Sequence, residues 1–177
     1  EKPLYHLKPG SRSYSIASVG CNFKCRFCQN ADIAQDSSDS AGQIKGRVVS
    51  PETIIQNALE SGCQSISYTY TEPVVFFELA LETARLAKTN GLLNVFVTNG
   101  YMSPQALEVA APVLDGANVD LKAFDDQFYR KICNARIQPV KDTLRKMAQL
   151  GIHLEITTLL IPGLNDHPEQ VAAMARY

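Results

Sequence analysis

The sequence predicts an α/β fold, a partial and open TIM-like barrel of parallel strands. Segments typical of strands alternate with segments typical of helices along the 177 residues. Such alternation builds a parallel sheet through right-handed βαβ crossovers. About five βα units can be counted, whereas a closed eight-stranded barrel takes about 250 residues. The chain is therefore too short to close a barrel.

The first unit consists of a strand, a long connection and a helix. Apolar and polar residues alternate with a period of two over residues 13–19, which predicts a strand. Residues 36–47 are rich in Ser, Asp and Gly, and they predict a surface connection. Ser50 is suited to cap the next helix, Pro51 to occupy its first turn and Gly62 to end it.

The remaining elements repeat this pattern. Further strands are predicted at residues 65–70, 93–98, 117–121 and 154–161. Helices are predicted at residues 74–90, 103–111, 125–134 and 139–150. Parallel α/β sheets bind ligands outside the carboxyl ends of their strands, so candidate functional residues are sought there.

Composition excludes several classes of protein. Lys and Arg total 17 against 18 Asp and Glu, a net charge of −1, so neither nucleic acid nor an anionic membrane surface is an expected partner. Apolar runs such as residues 74–77 are far shorter than the roughly 18 residues of a membrane span. Five cysteines, an odd number, do not suit a secreted disulfide framework. We expect a soluble, cytoplasmic protein.

Three of the cysteines follow the first predicted strand. Cys21, Cys25 and Cys28 have the spacing C-x3-C-x2-C. A zinc site usually takes four protein ligands, and no further His or Cys at short spacing completes one. Three thiolates can instead bind three irons of a cubane and leave the fourth iron without a protein ligand. The spacing favours an iron–sulfur cluster over zinc or chance.

Polar residues also lie at the ends of the other predicted strands. They are Thr71, Glu72 and Pro73 after the second strand, Thr98 and Asn99 after the third, and Asp120 and Lys122 on the fourth. Each group has an ordinary structural alternative: a helix start capped by Thr71, a turn at Asn99, and an ion pair between Asp120 and Lys122. Because all of them share one end of the sheet with the cysteines, a common site is favoured.

These motifs resemble those of a known family. The run CNFKCRFC, with Phe27 before its last cysteine, resembles the signature of the radical S-adenosylmethionine (SAM) superfamily. Longer segments, among them YTYTEPVVFFELALETARLA, ANVDLKAF and TTLLIPGLND, are similar to AmmeMemoRadiSam-system radical SAM enzymes, which are relatives of pyruvate formate-lyase activating enzyme. The resemblance covers nearly the whole chain.

The resemblance also implies a domain organisation. Residues 1–177 would form a radical SAM core domain, with residues 1–12 as a lead-in segment. Relatives continue through a sixth strand and begin with a further cysteine-bearing segment, so five βα units of an expected six would be present. Because the sequence begins at Glu1 and ends at Tyr177 within a helix-like pattern, we expect the chain to be truncated at both ends.

The resemblance implies a role for each candidate residue. Cys21, Cys25 and Cys28 would hold a [4Fe-4S] cluster, and the methionyl group of SAM would chelate its open iron. The SAM-contacting roles would be divided as follows: the adenine beside Phe27 and Leu159, the methionyl amine at Thr71, Glu72 and Pro73, the methionyl carboxylate at Lys122 with support from Asp120, and the methionyl site or the ribose at Thr98 and Asn99.

The implied activity is reductive cleavage of SAM to methionine and a 5′-deoxyadenosyl radical that abstracts a hydrogen atom, as in glycyl-radical activating enzymes. Expected partners are SAM, a low-potential electron donor such as flavodoxin or ferredoxin, and a protein substrate. The alternatives are a noncatalytic iron–sulfur electron carrier or redox sensor and a structural zinc module.

Cys63 and Cys133 are expected to be buried packing residues. Val97 stands where activating enzymes commonly carry an acidic residue that helps bind a monovalent cation.

Overall fold

The computed structural model describes residues 4–35, 42–43 and 46–177. These residues contain one parallel sheet with the strand order β1-β2-β3-β4-β5. The strands are β1 Ser13–Ile16, β2 Ser65–Tyr68, β3 Leu93–Thr98, β4 Gly116–Asp120 and β5 His153–Thr157. Each strand pairs with the next one along the chain, so the sheet is open with β1 and β5 at its edges. The predicted open barrel is confirmed, while the predicted connection at residues 36–47 lies largely outside the described residues.

Helices follow the strands and cover the outer face of the sheet. They are α1 Ala31–Ala34, α2 Pro51–Glu60, α3 Phe77–Thr89, α4 Pro104–Ala110, α5 Asp126–Phe128, α6 Ile137–Gln149 and α7 Pro168–Arg176. Ser50 caps α2, because its side chain accepts a hydrogen bond from the Thr53 amide at 3.3 Å. Ser103 caps α4 in the same way through the amide of Ala106, at 3.1 Å.

The core lies between the sheet and these helices. Side chains alternate across each strand, so every second residue faces outward. The outward residues Ile66, Tyr68, Phe96, Ala117 and Val119 are all buried and form the centre of the apolar cluster. The opposite face is more polar and surrounds the barrel interior, where the hydroxyls of Ser13 and Ser67 are 2.6 Å apart.

The lead-in segment is fastened to the last strand. The amides of Tyr5 and His6 donate to the Glu155 carboxylate at 2.8 and 2.9 Å, and His153 Nε2 lies 2.9 Å from it. Burial opposes ionisation of this carboxyl, but these hydrogen bonds outweigh burial and lower the pKa of Glu155 to about 2. A Cβ at Gly116 would come within 2.8 Å of a Leu7 methyl group, so glycine allows the segment to approach β4.

Several predicted boundaries are wrong. The last strand ends at Thr157 rather than at residue 161, because Thr158 turns its hydroxyl to the Leu121 carbonyl at 2.8 Å. The helix predicted at residues 74–90 begins as a 3₁₀ turn, Pro73–Phe76, before α3. The helix predicted at residues 125–134 is one short turn, α5, followed by a π-helical segment, Tyr129–Cys133.

Among the described residues, no helix combines the length and the apolar character needed to cross a membrane.

Candidate active site

A cavity of about 510 Å³ opens at the carboxyl ends of the strands. Eleven of the twelve residues predicted for the site line it: Cys21, Cys25, Phe27, Cys28, Thr71, Glu72, Thr98, Asn99, Asp120, Lys122 and Leu159. The twelfth, Pro73, is buried in the first turn of the 3₁₀ helix instead. Folding therefore gathers side chains from distant parts of the chain around one space.

The cysteine loop, residues 21–28, forms one wall of the cavity. Cys25 is buried, and Cys21 and Cys28 are partly exposed. The Phe23 amide donates to the Cys21 sulfur at 3.4 Å, and the Cys28 amide donates to the Cys25 carbonyl at 3.2 Å. Gln35 in turn donates its side-chain amide to the Cys25 carbonyl at 3.0 Å. These hydrogen bonds hold the backbone of the loop, and all three of its cysteines line the cavity.

This donor set fits an iron–sulfur cluster. In a cubane, three cysteines each bind a different iron and the fourth iron keeps an open position. Cys21, Cys25 and Cys28 line one cavity. In the described part of the chain, no group of three His, Cys, Asp or Glu side chains was found that could hold a single metal ion.

Glu72 connects the ends of β2 and β3. Its carboxylate accepts hydrogen bonds from the Thr98 hydroxyl at 2.7 Å and from the Asn99 amide at 2.8 Å. The side chain is fully buried, and burial raises the pKa of Glu72 to about 7, although the hydrogen bonds from Asn99, Thr98 and Val74 oppose the rise. Glu72 also caps the 3₁₀ turn through the Val74 amide at 3.4 Å.

The structural alternative for Thr71, a helix cap, is wrong. The Thr71 hydroxyl donates instead to the Ser18 carbonyl at 2.7 Å, across the sheet from its own strand. Ser18 lies in the connection between β1 and the cysteine loop, so this bond ties that connection to the residues that follow β2. The geometry differs from the expectation because Glu72, one residue later, already occupies the capping position.

Asn99 links the turn after β3 to the cysteine loop. Its side-chain amide donates to Asn22 Oδ1 at 2.7 Å and lies 3.8 Å from the Cys21 sulfur. Asn22 then donates to the Tyr101 carbonyl at 3.1 Å. Gly100 allows the tight turn between them, since its φ is +72° and a Cβ would come within 2.9 Å of Val119. No sequence pattern singles out Asn22, whose partners become visible only in the fold.

Lys122 supplies a positive charge to the cavity. Its Nζ is 3.0 Å from Asp120 Oδ2 and 5.8 Å from the centroid of the Phe27 ring. Burial lowers the pKa of Lys122, but the charges of Asp120 and Cys25 outweigh burial and raise it above its ordinary value. Lys122 is therefore cationic at neutral pH. The ion-pair alternative is correct in its geometry, and the same pair also lines the cavity.

The loop after β5 is shaped by a buried asparagine that no sequence pattern indicates. Asn165 is fully buried, and its side chain accepts from the Ile161 amide at 2.6 Å. It donates to the carbonyls of Lys122 and Leu159 at 2.7 and 2.9 Å. Leu159, half-exposed, is thereby held at the edge of the cavity.

The π-helical segment accepts backbone hydrogen bonds from the cysteine loop. The Lys24 amide donates to the Cys133 carbonyl and the Arg26 amide to the Ile132 carbonyl, each at 3.0 Å. Cys133 is fully buried as expected. The Cys133 side chain lowers the pKa of Cys25, and Cys25 together with burial raises the pKa of Cys133. Cys63 is a buried packing residue.

The structure is an open parallel barrel of the α/β class. Three thiols from one loop and the partly buried Lys122 cation lie at the carboxyl ends of its strands. This arrangement suits a thiolate-bound cofactor beside a small charged ligand. The chain belongs to the radical SAM superfamily, which its residues 15–175 match. Members of this family use a [4Fe-4S] cluster and SAM, so the two predicted cofactors are confirmed as those of the family.

The curated relatives have different names and activities. An uncharacterised protein of Methanocaldococcus jannaschii is 42% identical over 167 residues, which are 94% of this chain and 48% of that protein. A probable GTP 3′,8-cyclase of Pyrobaculum aerophilum is 24% identical over 91% of this chain and 51% of that protein. Pyruvate formate-lyase-activating enzyme of Clostridium pasteurianum is 22% identical over 94% of this chain and 69% of that protein. The chain spans about half the length of the first two.

The fold itself is shared with solved structures. SuiB of Streptococcus suis, bound to S-adenosylmethionine, superposes with a TM-score of 0.72 at 16% identity. The match covers 93% of this chain and 37% of that chain. At this identity the likeness shows a common architecture.

Proposed function

We propose that this chain forms the cofactor-binding core of a radical SAM enzyme in which Cys21, Cys25 and Cys28 hold the [4Fe-4S] cluster. When bound, the cluster would supply one electron to the sulfonium of SAM, whose cleavage to methionine and a 5′-deoxyadenosyl radical provides the agent of hydrogen-atom abstraction. The observation that carries this proposal is the convergence of eleven predicted residues around one cavity of about 510 Å³.

The charged residues of the cavity suit the methionyl group of SAM. Lys122 remains cationic and would pair with the carboxylate, while Asp120 holds its ammonium group at 3.0 Å. The backbone of Thr71 to Pro73 and the Glu72 side chain would meet the methionyl amine. Glu72 keeps this backbone in place through Thr98 and Asn99.

The apolar residues suit the adenine and the exclusion of water. Phe27 lies on the cysteine loop and packs against Phe128, with the ring centroids 6.0 Å apart. Leu159 stands on the loop after β5. Together they would enclose the adenine, while Thr98 and Asn99 would face the methionyl site or the ribose. Such positioning and shielding are the contribution of the protein when a cofactor carries the chemistry.

Anaerobic reconstitution tests this function. About four irons should bind per chain, and dithionite with SAM should yield 5′-deoxyadenosine. Cys25→Ala should abolish this product, whereas Cys63→Ala, the same change at a buried cysteine away from the cavity, should retain it. SAM cleavage by Cys25→Ala at the wild-type rate would contradict the assignment. A cluster whose spectrum does not respond to SAM would favour an electron carrier instead.

The finer proposal is hydrogen abstraction of the activating-enzyme type, with a protein substrate. The similarity to pyruvate formate-lyase-activating enzyme over 94% of this chain supports it. The similarity to a probable GTP 3′,8-cyclase makes GTP the alternative to test. Deuterated candidate substrates separate these options, because only the true substrate transfers deuterium into 5′-deoxyadenosine. Deuterium transfer from GTP alone would refute the activating-enzyme assignment.

We also propose that a low-potential flavodoxin or ferredoxin reduces the cluster. Lys24 and Arg26 are exposed on the cysteine loop and would attract an acidic protein surface close to the cluster. Reversal of both charges to Glu should slow turnover with flavodoxin and increasing salt should do the same, while turnover with dithionite should change little. Arg85→Glu, on the exposed side of α3, is the control. Equal losses with both reductants would contradict this docking site.

A further inference from the structure

Tyr70, two residues after the end of β2, lies in a strained turn. Its φ is 63°, and the Thr71 amide donates to the Thr69 carbonyl across it at 2.8 Å. A hydrogen bond between residues two apart closes a γ-turn, and the form with a positive φ at its middle residue is rare and strained. Glycine adopts a positive φ readily, whereas a bulky residue does so at a cost. Tyr70 therefore occupies a position at which glycine would be less strained.

Hydrogen bonds on both sides of the turn fix its backbone. The Asn30 side-chain amide donates to the Tyr70 carbonyl at 2.7 Å, and the Thr71 hydroxyl donates to the Ser18 carbonyl at 2.7 Å. Such surroundings can impose a conformation that the residue itself disfavours. Both bonds would form equally well with glycine at position 70, so they do not require an aromatic ring there.

The turn directs the Tyr70 side chain away from the core. Side chains alternate along a strand, so a continued β2 would place Tyr70 on the same face as Tyr68. Tyr68 has no exposed surface and belongs to the apolar core, whereas Tyr70 is 48% exposed and lines the candidate active-site cavity. The strained turn thus brings aromatic surface to the cavity.

We propose that Tyr70 is a SAM-contacting residue whose ring packs against the methionyl end of SAM in this cavity. The proposal rests on the proposed function, in which the backbone directly after Tyr70, from Thr71 to Pro73, meets the methionyl amine. The ring would keep water away from that amine, and charge interactions are stronger where water is excluded. Backbone strain of this kind is typical of ligand-binding and active sites.

The first measurement is the affinity for SAM, by calorimetry of the anaerobically reconstituted protein with its cluster oxidised. Tyr70→Asn and Tyr70→Gly both suit a positive φ but lack the ring. Each should bind SAM about tenfold more weakly, as expected when roughly 60 Å² of apolar surface is no longer buried. Tyr70→Phe keeps the ring and should stay within about twofold of the wild type.

The second measurement is urea unfolding of the cofactor-free chain. Because Tyr70→Gly relieves strain, its unfolding midpoint should not fall below that of the wild type. Lys8→Gly is the matched control for both measurements, since Lys8 also has a positive φ, of 49°. Lys8 lines a separate cavity with Ser13, Ser65 and Leu93, at the amino ends of β1 to β3. Its replacement should leave the SAM affinity unchanged.

The outcomes separate this proposal from the proposed function. Tyr70→Asn and Tyr70→Gly proteins with full iron content and wild-type SAM affinity would refute the role of Tyr70 alone. A lower urea midpoint for Tyr70→Gly would also refute it, because the ring would then support the fold. A Phe variant weakened as much as the Asn variant would assign the effect to the hydroxyl and contradict a packing contact. A wild-type chain that binds iron but no SAM would refute the proposed function and this proposal together.

Discussion

Replacement of Glu72 by Gln should remove a pH-dependent loss of stability. Burial raises the pKa of Glu72 to about 7 in the folded chain, against an ordinary value of 4.5. This difference of about 2.5 pH units, at about 1.36 kcal/mol each, corresponds to about 3.4 kcal/mol. Because the folded pKa is the higher one, this stability is fully present below pH 4.5 and is lost as the pH rises through 7. About 2 kcal/mol of the loss falls between pH 5 and pH 7.

The assay is urea unfolding of the reduced, cofactor-free chain at a series of pH values. Circular dichroism is a suitable signal because the sequence contains no Trp. The glutamine of the Glu72→Gln variant presents an amide nitrogen to the Asn99 amide, which costs about 1–3 kcal/mol at every pH. The difference in slope between the two proteins is therefore the informative quantity. Glu82→Gln, at an exposed position on α3, should keep the wild-type slope. A Glu72→Gln protein with that same slope would refute the reasoning.

Three further variants test other parts of the structure. Glu155→Gln should lose less stability than the wild type between pH 4.5 and pH 2, because the lowered pKa of Glu155 confers stability that protonation removes. A wild-type protein whose thermal melting curves are equal at pH 3 and pH 6 would contradict this. Lys122→Met should weaken SAM binding about tenfold or more in calorimetry while iron content stays unchanged; an unaltered Kd would remove Lys122 from the carboxylate site. Asn165→Ala should lower the free energy of unfolding by about 1–3 kcal/mol, and Asp166→Ala, which loses an exposed bond to Gly163, should have a smaller effect.

The elements of the fold can be predicted from local patterns. Residues 93–98 are rich in β-branched and aromatic residues and follow Gly91, which predicts a strand, and the predicted bounds equal those of β3. The sequence predicts the last strand four residues too long, because residues 158–161 are as apolar as a strand. Their conformation depends on Thr158 and Asn165, which bond to residues elsewhere in the chain. No local pattern encodes such contacts.

The candidate site shows the same division. Spacing alone predicts the three cysteines, and a two-residue separation that places both side chains on one face predicts Asp120 and Lys122. Sequence patterns miss Asn22, Cys133 and Asn165 because their residue types are common in loops and cores. Each acquires its place at the site through a partner distant in the chain, such as Asn99 for Asn22.

The sequence by itself determined the order of strands and helices, the three-cysteine loop and the end of the sheet at which polar residues collect. These properties follow from periodicity and spacing, which act over a few residues. Only the tertiary structure decided that Glu72 is buried between Thr98 and Asn99, and that the backbone on either side of Cys25 is hydrogen-bonded to the π-helical segment. Burial and hydrogen bonding between distant residues set the protonation and position of these groups, and both arise when the chain folds.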